Sequence, residues 1–130
     1  RDKPNGLAFN LDESILYVSD TGKSHKEDGW HHIFAYDVLD SKTLSPGRVF
    51  AEINPGVSDG FRLDENGYIF TSSADSIQVY SPEAELLGKI LVPEPIANCV
   101  FGGPDKNRLF ITATSSLYSV YLNTRGVQGT

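Results

Sequence analysis

Asn5-Gly6-Leu7-Ala8-Phe9, a turn, and then Leu16-Tyr17-Val18-Ser19-Asp20 form a pair of short β-forming runs, and the same arrangement returns twice along the chain. Asp59-Gly60-Phe61-Arg62-Leu63 leads through a turn to Tyr68-Ile69-Phe70-Thr71-Ser72, and Asn98-Cys99-Val100-Phe101 leads to Leu109-Phe110-Ile111-Thr112-Ala113. The openings of these units lie 54 and 39 residues apart. Four-stranded propeller blades repeat at about 40–50 residues, and a loop inserted in one blade lengthens that blade alone. The surplus falls between Thr21 and His31, in a polar stretch that reads as a loop. The expected fold is all-β, a β-propeller, with blades over approximately residues 5–58, 59–97 and 98–123.

Each unit continues with further β-rich runs: His32–Val38 and Arg48–Ala51 in the first, Ile77–Tyr80 and Leu86–Ile90 in the second, Leu117–Tyr121 in the third. Helical periodicity is almost absent. Asp64-Glu65-Asn66-Gly67 and Gly102-Gly103-Pro104-Asp105 punctuate the runs as hairpin turns, and the acidic side chains there read as solvated. The last unit stops after three strands, at Asn123. A closed propeller supplies such a missing outer strand from its own N-terminus, which removes the open edge.

The bulk composition narrows the possible functions. The 130 residues carry a net charge of -6, which argues against nucleic acid or an anionic membrane as a partner, because both need a basic footprint. A single cysteine, Cys99, cannot form an internal disulfide, and no Cys/His cluster is spaced to hold zinc. No apolar run in these residues approaches the length of a membrane span, and none reads as a signal peptide. The compartment stays open, either cytoplasmic or exported after removal of an N-terminal segment. The opening Arg1-Asp2-Lys3-Pro4, in a chain with no Met, reads as the start of a fragment or processed piece.

The first strand of each propeller blade lines the central channel, so Asn5, Asp59 and Asn98 are expected to converge on one mouth. Oxygen-bearing side chains, one of them a carboxylate, suit a hard cation such as Ca²⁺. Asn and Asp are also ordinary turn formers before glycine, and that reading stays open for each taken singly. The second strand returns to the same mouth and brings Asp20-Thr21-Gly22, Ser73-Ala74 and Thr114-Ser115 to the rim. The Gly22–Trp30 insertion would overhang the channel, where Trp30 could pack on a sugar face or simply tuck against the blade. His31 and His32 point to opposite sides of a strand, which argues against a paired zinc site. No phosphate loop or nucleophile elbow is present.

Lys3-Pro4-Asn5-Gly6-Leu7-Ala8-Phe9, Leu16-Tyr17-Val18-Ser19-Asp20-Thr21-Gly22, Ser58-Asp59-Gly60-Phe61 and Asn98-Cys99-Val100-Phe101-Gly102-Gly103 together resemble the gluconolactonase/regucalcin (senescence marker protein) family. The resemblance implies a six-bladed propeller, of which this chain is the C-terminal half, with a divalent ion in the channel and sugar lactones as substrates. It implies Asn5 and Asp59 as metal ligands, with Asp59 also the proposed general base. Asn98 then lines the channel beside them, and Asp20, Trp30 and His31 stand at the rim. Ca²⁺ is the first expectation, with Zn²⁺, Mg²⁺ or Mn²⁺ as alternatives. The family's metal-binding glutamate and a further asparagine belong to blades outside this chain, so the N-terminal half of the propeller is an expected partner. Two other functions remain open: a calcium-binding propeller without turnover, and a protein-binding scaffold.

Overall fold

The computed structural model describes residues 4–21, 31–40, 43–53, 58 and 60–127, with the side chains of residues 4, 5, 20, 21 and 31 outside the described set. Twelve strands are described and no helix. No described element is therefore a helix long and apolar enough to cross a membrane.

The strands make three antiparallel sheets. In the first, β1 (Pro4–Phe9), β2 (Ile15–Thr21) and β3 (His31–Leu39) pair in sequence, and β3 also pairs with β4 (Thr43–Leu44) and β5 (Arg48–Glu52). The second runs β6 (Phe61–Leu63), β7 (Ile69–Ser72), β8 (Ser76–Tyr80) and β9 (Leu86–Leu91). The third runs β10 (Ile96–Gly102), β11 (Arg108–Ala113) and β12 (Leu117–Tyr121). The innermost strands sit side by side, with β6 lying between β1 and β10. This is the radial arrangement of propeller blades around a channel. The short β4 had no signal in the sequence, and β10 begins two residues before Asn98, where the repeat placed the start of the strand.

Strand alternation decides how the blades pack. Ala8, Tyr17, Ile33, Ala35 and Ala51 of the first sheet bury against Phe61, Leu63, Ile69 and Tyr80 of the second. On the other side of the second sheet, Phe70 and Ile77 bury against Ile96, Cys99, Phe101, Leu109 and Ile111 of the third. Ile69 and Phe70 are adjacent in β7 and face different seams, so the middle blade is buried on both sides. Aromatic rings bridge both seams edge to face, Phe50 on Tyr80 at 6.4 Å and Phe70 on Phe101 at 5.2 Å between centroids.

Asp64 corrects the expectation of a solvated turn residue, because it is only 2% exposed. Its Oδ1 accepts the backbone N–H of Asn66 and of Tyr68, each at 2.9 Å, which closes the β6–β7 turn. Its Oδ2 accepts the Thr124 hydroxyl at 2.9 Å. The segment after β12 thus returns to the second blade, where Glu65 N–H bonds Arg125 O and Val127 N–H bonds Leu63 O. Gly126 fits because a Cβ there would lie 2.3 Å from the Phe101 ring. Glu65 and Asp105 are exposed, as expected. Asp64→Ala removes a buried carboxylate that accepts three hydrogen bonds and is expected to destabilise the fold by about 2–4 kcal/mol. Glu65→Ala should stay within about 0.5 kcal/mol, and denaturant melts of the two variants check the contrast.

Candidate functional site

Antiparallel pairing carries the C-terminal ends of β2, β7 and β11 back to the end where β1, β6 and β10 begin. The second and third blades keep one register at this end, and the β1–β2 turn is one residue longer. Asn5 lies in β1 where the pairing is irregular, between Pro4 and Gly6, and its side chain is outside the described residues. Asp59 is itself outside them, while its neighbours Ser58 and Gly60 are described and buried. Asn98 pairs with Thr112, just after an irregularity at Ile96/Asn98, and its side chain is exposed.

The structure brings the openings of the second and third blades together. A Cβ on Gly60 would stand 1.9 Å from Asn98 Oδ1 and 2.4 Å from its Cγ, so only glycine admits the Asn98 carboxamide at this place. Asn98 therefore packs on the residue that follows Asp59. Its Oδ1 also accepts the Cys99 N–H at 2.8 Å, which fixes the amide's direction. Gly6 likewise faces the neighbouring blade, with its Cβ position 3.7 Å from the Phe61 ring.

At the rim, β2 and β3 pair Thr21 with His31 and Asp20 with His32. The expectations for the side chains of Asp20 and His31, and for Trp30 with the rest of residues 22–30, lie outside the described residues. His32 is buried and meets Phe34 edge to face at 5.7 Å, a packing role. Ser73 is also buried, its Oγ donating to Ser76 O at 2.9 Å within the β7–β8 turn.

Two features at this end had escaped the sequence reading. Glu94 clamps the link between blades: its Oε1 accepts the Ser115 N–H at 2.8 Å and hydroxyl at 2.6 Å, and its Oε2 accepts the Tyr118 hydroxyl at 2.5 Å. These donors, Ser115 first, hold the Glu94 carboxyl down at about 2. The same bond raises Tyr118. The only hint in the sequence is a glutamate between two prolines, Pro93 and Pro95. The second feature is a set of buried hydroxyls, Ser58, Thr71 and Ser72, on either side of Asp59. Their signal is a polar pair ending a strand that is buried throughout.

Cys99 offers no nucleophile. Its thiol is buried against the Phe70 carbonyl, and burial pushes it up to about 12 despite the Arg62 charge nearby. Among the described residues no three His, Cys, Asp or Glu side chains cluster to hold a metal. The donors expected at the mouth are amide and carboxylate oxygens, a set chemically suited to a hard cation. Described clefts lie at the other end: one of about 300 Å³ is lined by Asn10, Asp12, Glu65 and Asn66 of the β1–β2 and β6–β7 turns.

Comparison with known proteins adds four findings. Residues 2–115 match the family model described as the SMP-30/gluconolactonase/LRE-like region. The gluconolactonase of Zymomonas mobilis is 33% identical over 135 residues, covering 95% of this chain and 36% of that protein. The structure of a gluconolactonase from Xanthomonas campestris superimposes with a TM-score of 0.84 at 38% identity, over 94% of this chain and 38% of the other. A β-propeller domain from Myceliophteria thermophila matches with a TM-score of 0.68 at 10% identity, over 92% of this chain and 41% of the other, a likeness of fold alone. The chain spans well under half the length of each of these proteins.

Proposed function

Because the chain belongs to the SMP-30/gluconolactonase/LRE-like family, we propose that it carries part of the active site of a metal-dependent lactonase acting on sugar lactones. The observation that carries this reading is the contact of Asn98 with Gly60, which sets two blade openings against each other at the channel mouth. Relatives named as lactone hydrolases support the substrate class. As a C-terminal portion of one propeller domain, the chain would contribute Asn5 and Asp59 as ligands of a divalent cation, Ca²⁺ in the first place, with further ligands supplied by other blades.

When bound, such a cation supplies Lewis-acid polarisation at the lactone carbonyl. Asp59 holds the only carboxylate that this chain adds to the set and contributes charge that retains the ion. It can also take a proton from attacking water, although a carboxylate beside a cation has a lowered pKa and is the weaker base for it. The ligand role is therefore the principal one. Asn98 orients its amide over Gly60 and lines the path of the substrate. Asp20, Trp30 and His31 would border the entry and bear on substrate choice, as loop residues over a rigid scaffold commonly do.

Chelation tests the reading. Stripping divalent metal from the complete protein should abolish hydrolysis of a sugar lactone, and adding Ca²⁺ back should restore it. Undiminished turnover in the stripped protein would contradict the proposal.

A further inference from the structure

We infer that Ser58, Thr71 and Ser72 form a clasp of buried hydroxyls that holds the residues on both sides of Asp59, Ser58 by its side chain and Gly60 by its backbone, making them positioning residues for the cation site; this rests on the function proposed above. The Thr71 hydroxyl donates to Ser58 Oγ at 2.7 Å and lies 3.0 Å from the Ser72 carbonyl. On the other side, the Gly60 N–H donates to Ser72 Oγ at 3.1 Å, and the Ser72 N–H donates to Gly60 O at 2.9 Å. The chain is thus gripped one residue before Asp59 and one residue after it. All these groups are buried, with Thr71 and Ser72 at 0% exposure and Ser58 at 2%.

Burial makes the choice of residue informative. A hydroxyl withdrawn from water costs free energy unless it is hydrogen-bonded, and an apolar side chain of similar volume would fill the same space without that risk. The third blade takes the apolar option: Ile111 faces Cys99 at the corresponding pair. The first blade instead pairs Gly6 with Ser19, which is fully buried and whose Oγ lies 3.5 Å from Gly6 O. A serine therefore stands across from the glycine in the two blades whose openings carry the proposed ligands, Asn5 and Asp59. In the blade where no ligand is proposed, an isoleucine stands there. The division follows the proposed ligands, as a need to hold the preceding residue would require.

The test compares Thr71→Val, which keeps the shape and removes the hydroxyl, with Thr71→Ser and with Asp59→Asn, all in the complete protein. Calorimetric titration with calcium chloride alone, steady-state lactone hydrolysis and thermal melts are read for each. Thr71→Val should weaken calcium binding and lower kcat by roughly fivefold to tenfold, the worth of about one buried hydrogen bond, with KM little changed. Its Tm should fall by only a few degrees, as the loss of about one buried hydrogen bond implies, and Thr71→Ser should restore both affinity and kcat. Calcium affinity and kcat within twofold of the parent in a folded Thr71→Val would overturn the clasp, as would a loss that Thr71→Ser fails to repair. Should Thr71→Val not fold, Ser58→Ala removes the partner oxygen with less disturbance and is read by the same criteria. Asp59→Asn separates the two levels. If it abolishes calcium binding while the hydroxyl variants stay within twofold of the parent, the clasp alone fails; if it too leaves binding intact, the cation site itself is misplaced.

Discussion

Asp59→Asn in the complete protein is expected to lower lactone turnover by about two orders of magnitude or more, with the fold intact. The substitution keeps the shape of the side chain and removes its charge, so neighbouring packing has no reason to change. Ser58 and Gly60 bond to Thr71 and Ser72 through hydroxyl and backbone atoms, none of which belongs to Asp59. What is lost is the one carboxylate that this chain gives the proposed site, and a hard cation is held more weakly as the charge of its oxygen ligands falls. Asp64→Asn is the control, because Asp64 closes the β6–β7 turn and grips Thr124. It should lower stability and leave the turnover of the folded fraction close to the parent's. Rates normalised to folded protein, alongside thermal melts, distinguish the two variants. Equal losses of turnover would mean that the site lies elsewhere.

The second large effect concerns the chain on its own, which as a soluble monomer should show no metal-dependent lactone turnover. Both outer blade faces are apolar. On the first sheet, Leu7, Val18, Phe34 and Val49 align across β1, β2, β3 and β5, with Leu7 67% and Val49 54% exposed. On the third sheet, Val100 and Phe110 align across β10 and β11, while Leu117 and Tyr121 of β12 are 66% and 68% exposed. Arg108 partly covers that face by stacking 5.0 Å from both the Phe110 and Tyr121 rings. Water penalises such surface at ~25 cal/mol per Å², which favours aggregation or pairing with further blades. One carboxylate with one or two amides would also leave a cation short of ligands. Light scattering, calcium titration and a lactone assay on the 130-residue chain check this expectation. A monomer that binds calcium tightly and turns over lactone would refute it.

The strands were legible because period-two runs bounded by Gly, Asn and Asp specify hairpins locally, and their recurrence at blade spacing specified the architecture. That the second and third blades are neighbours was legible for the same reason, since consecutive repeats stand side by side in a radial array, whereas Asp59 itself lies outside the described residues. Asp64 was not. Its solvation was inferred from a turn motif, but Thr124, 60 residues further on, reaches back to cover it. No local pattern announces that return. The opening of β10 was missed because Pro93 and Pro95 suggest a loop, whereas Glu94 ties that loop to Ser115 and Tyr118 and the strand begins at once, at Ile96. Thr71 and Ser72 looked like an ordinary strand end. Only their burial and their bonds to the neighbours of Asp59 distinguish them.

Anomalous diffraction from crystals of the complete protein soaked in Mn²⁺, which occupies oxygen-donor sites as Ca²⁺ does, tests the central claim most directly. The account predicts a single strong peak at the channel mouth, with the Asn5 amide oxygen and the Asp59 carboxylate each about 2.4 Å or less from it and therefore no more than about 5 Å from each other. Asn98 should stand beside Gly60 next to that peak. A peak elsewhere in the molecule, or Asn5 and Asp59 side chains more than roughly 10 Å apart, a span that two ligands of one ion cannot reach, would contradict it.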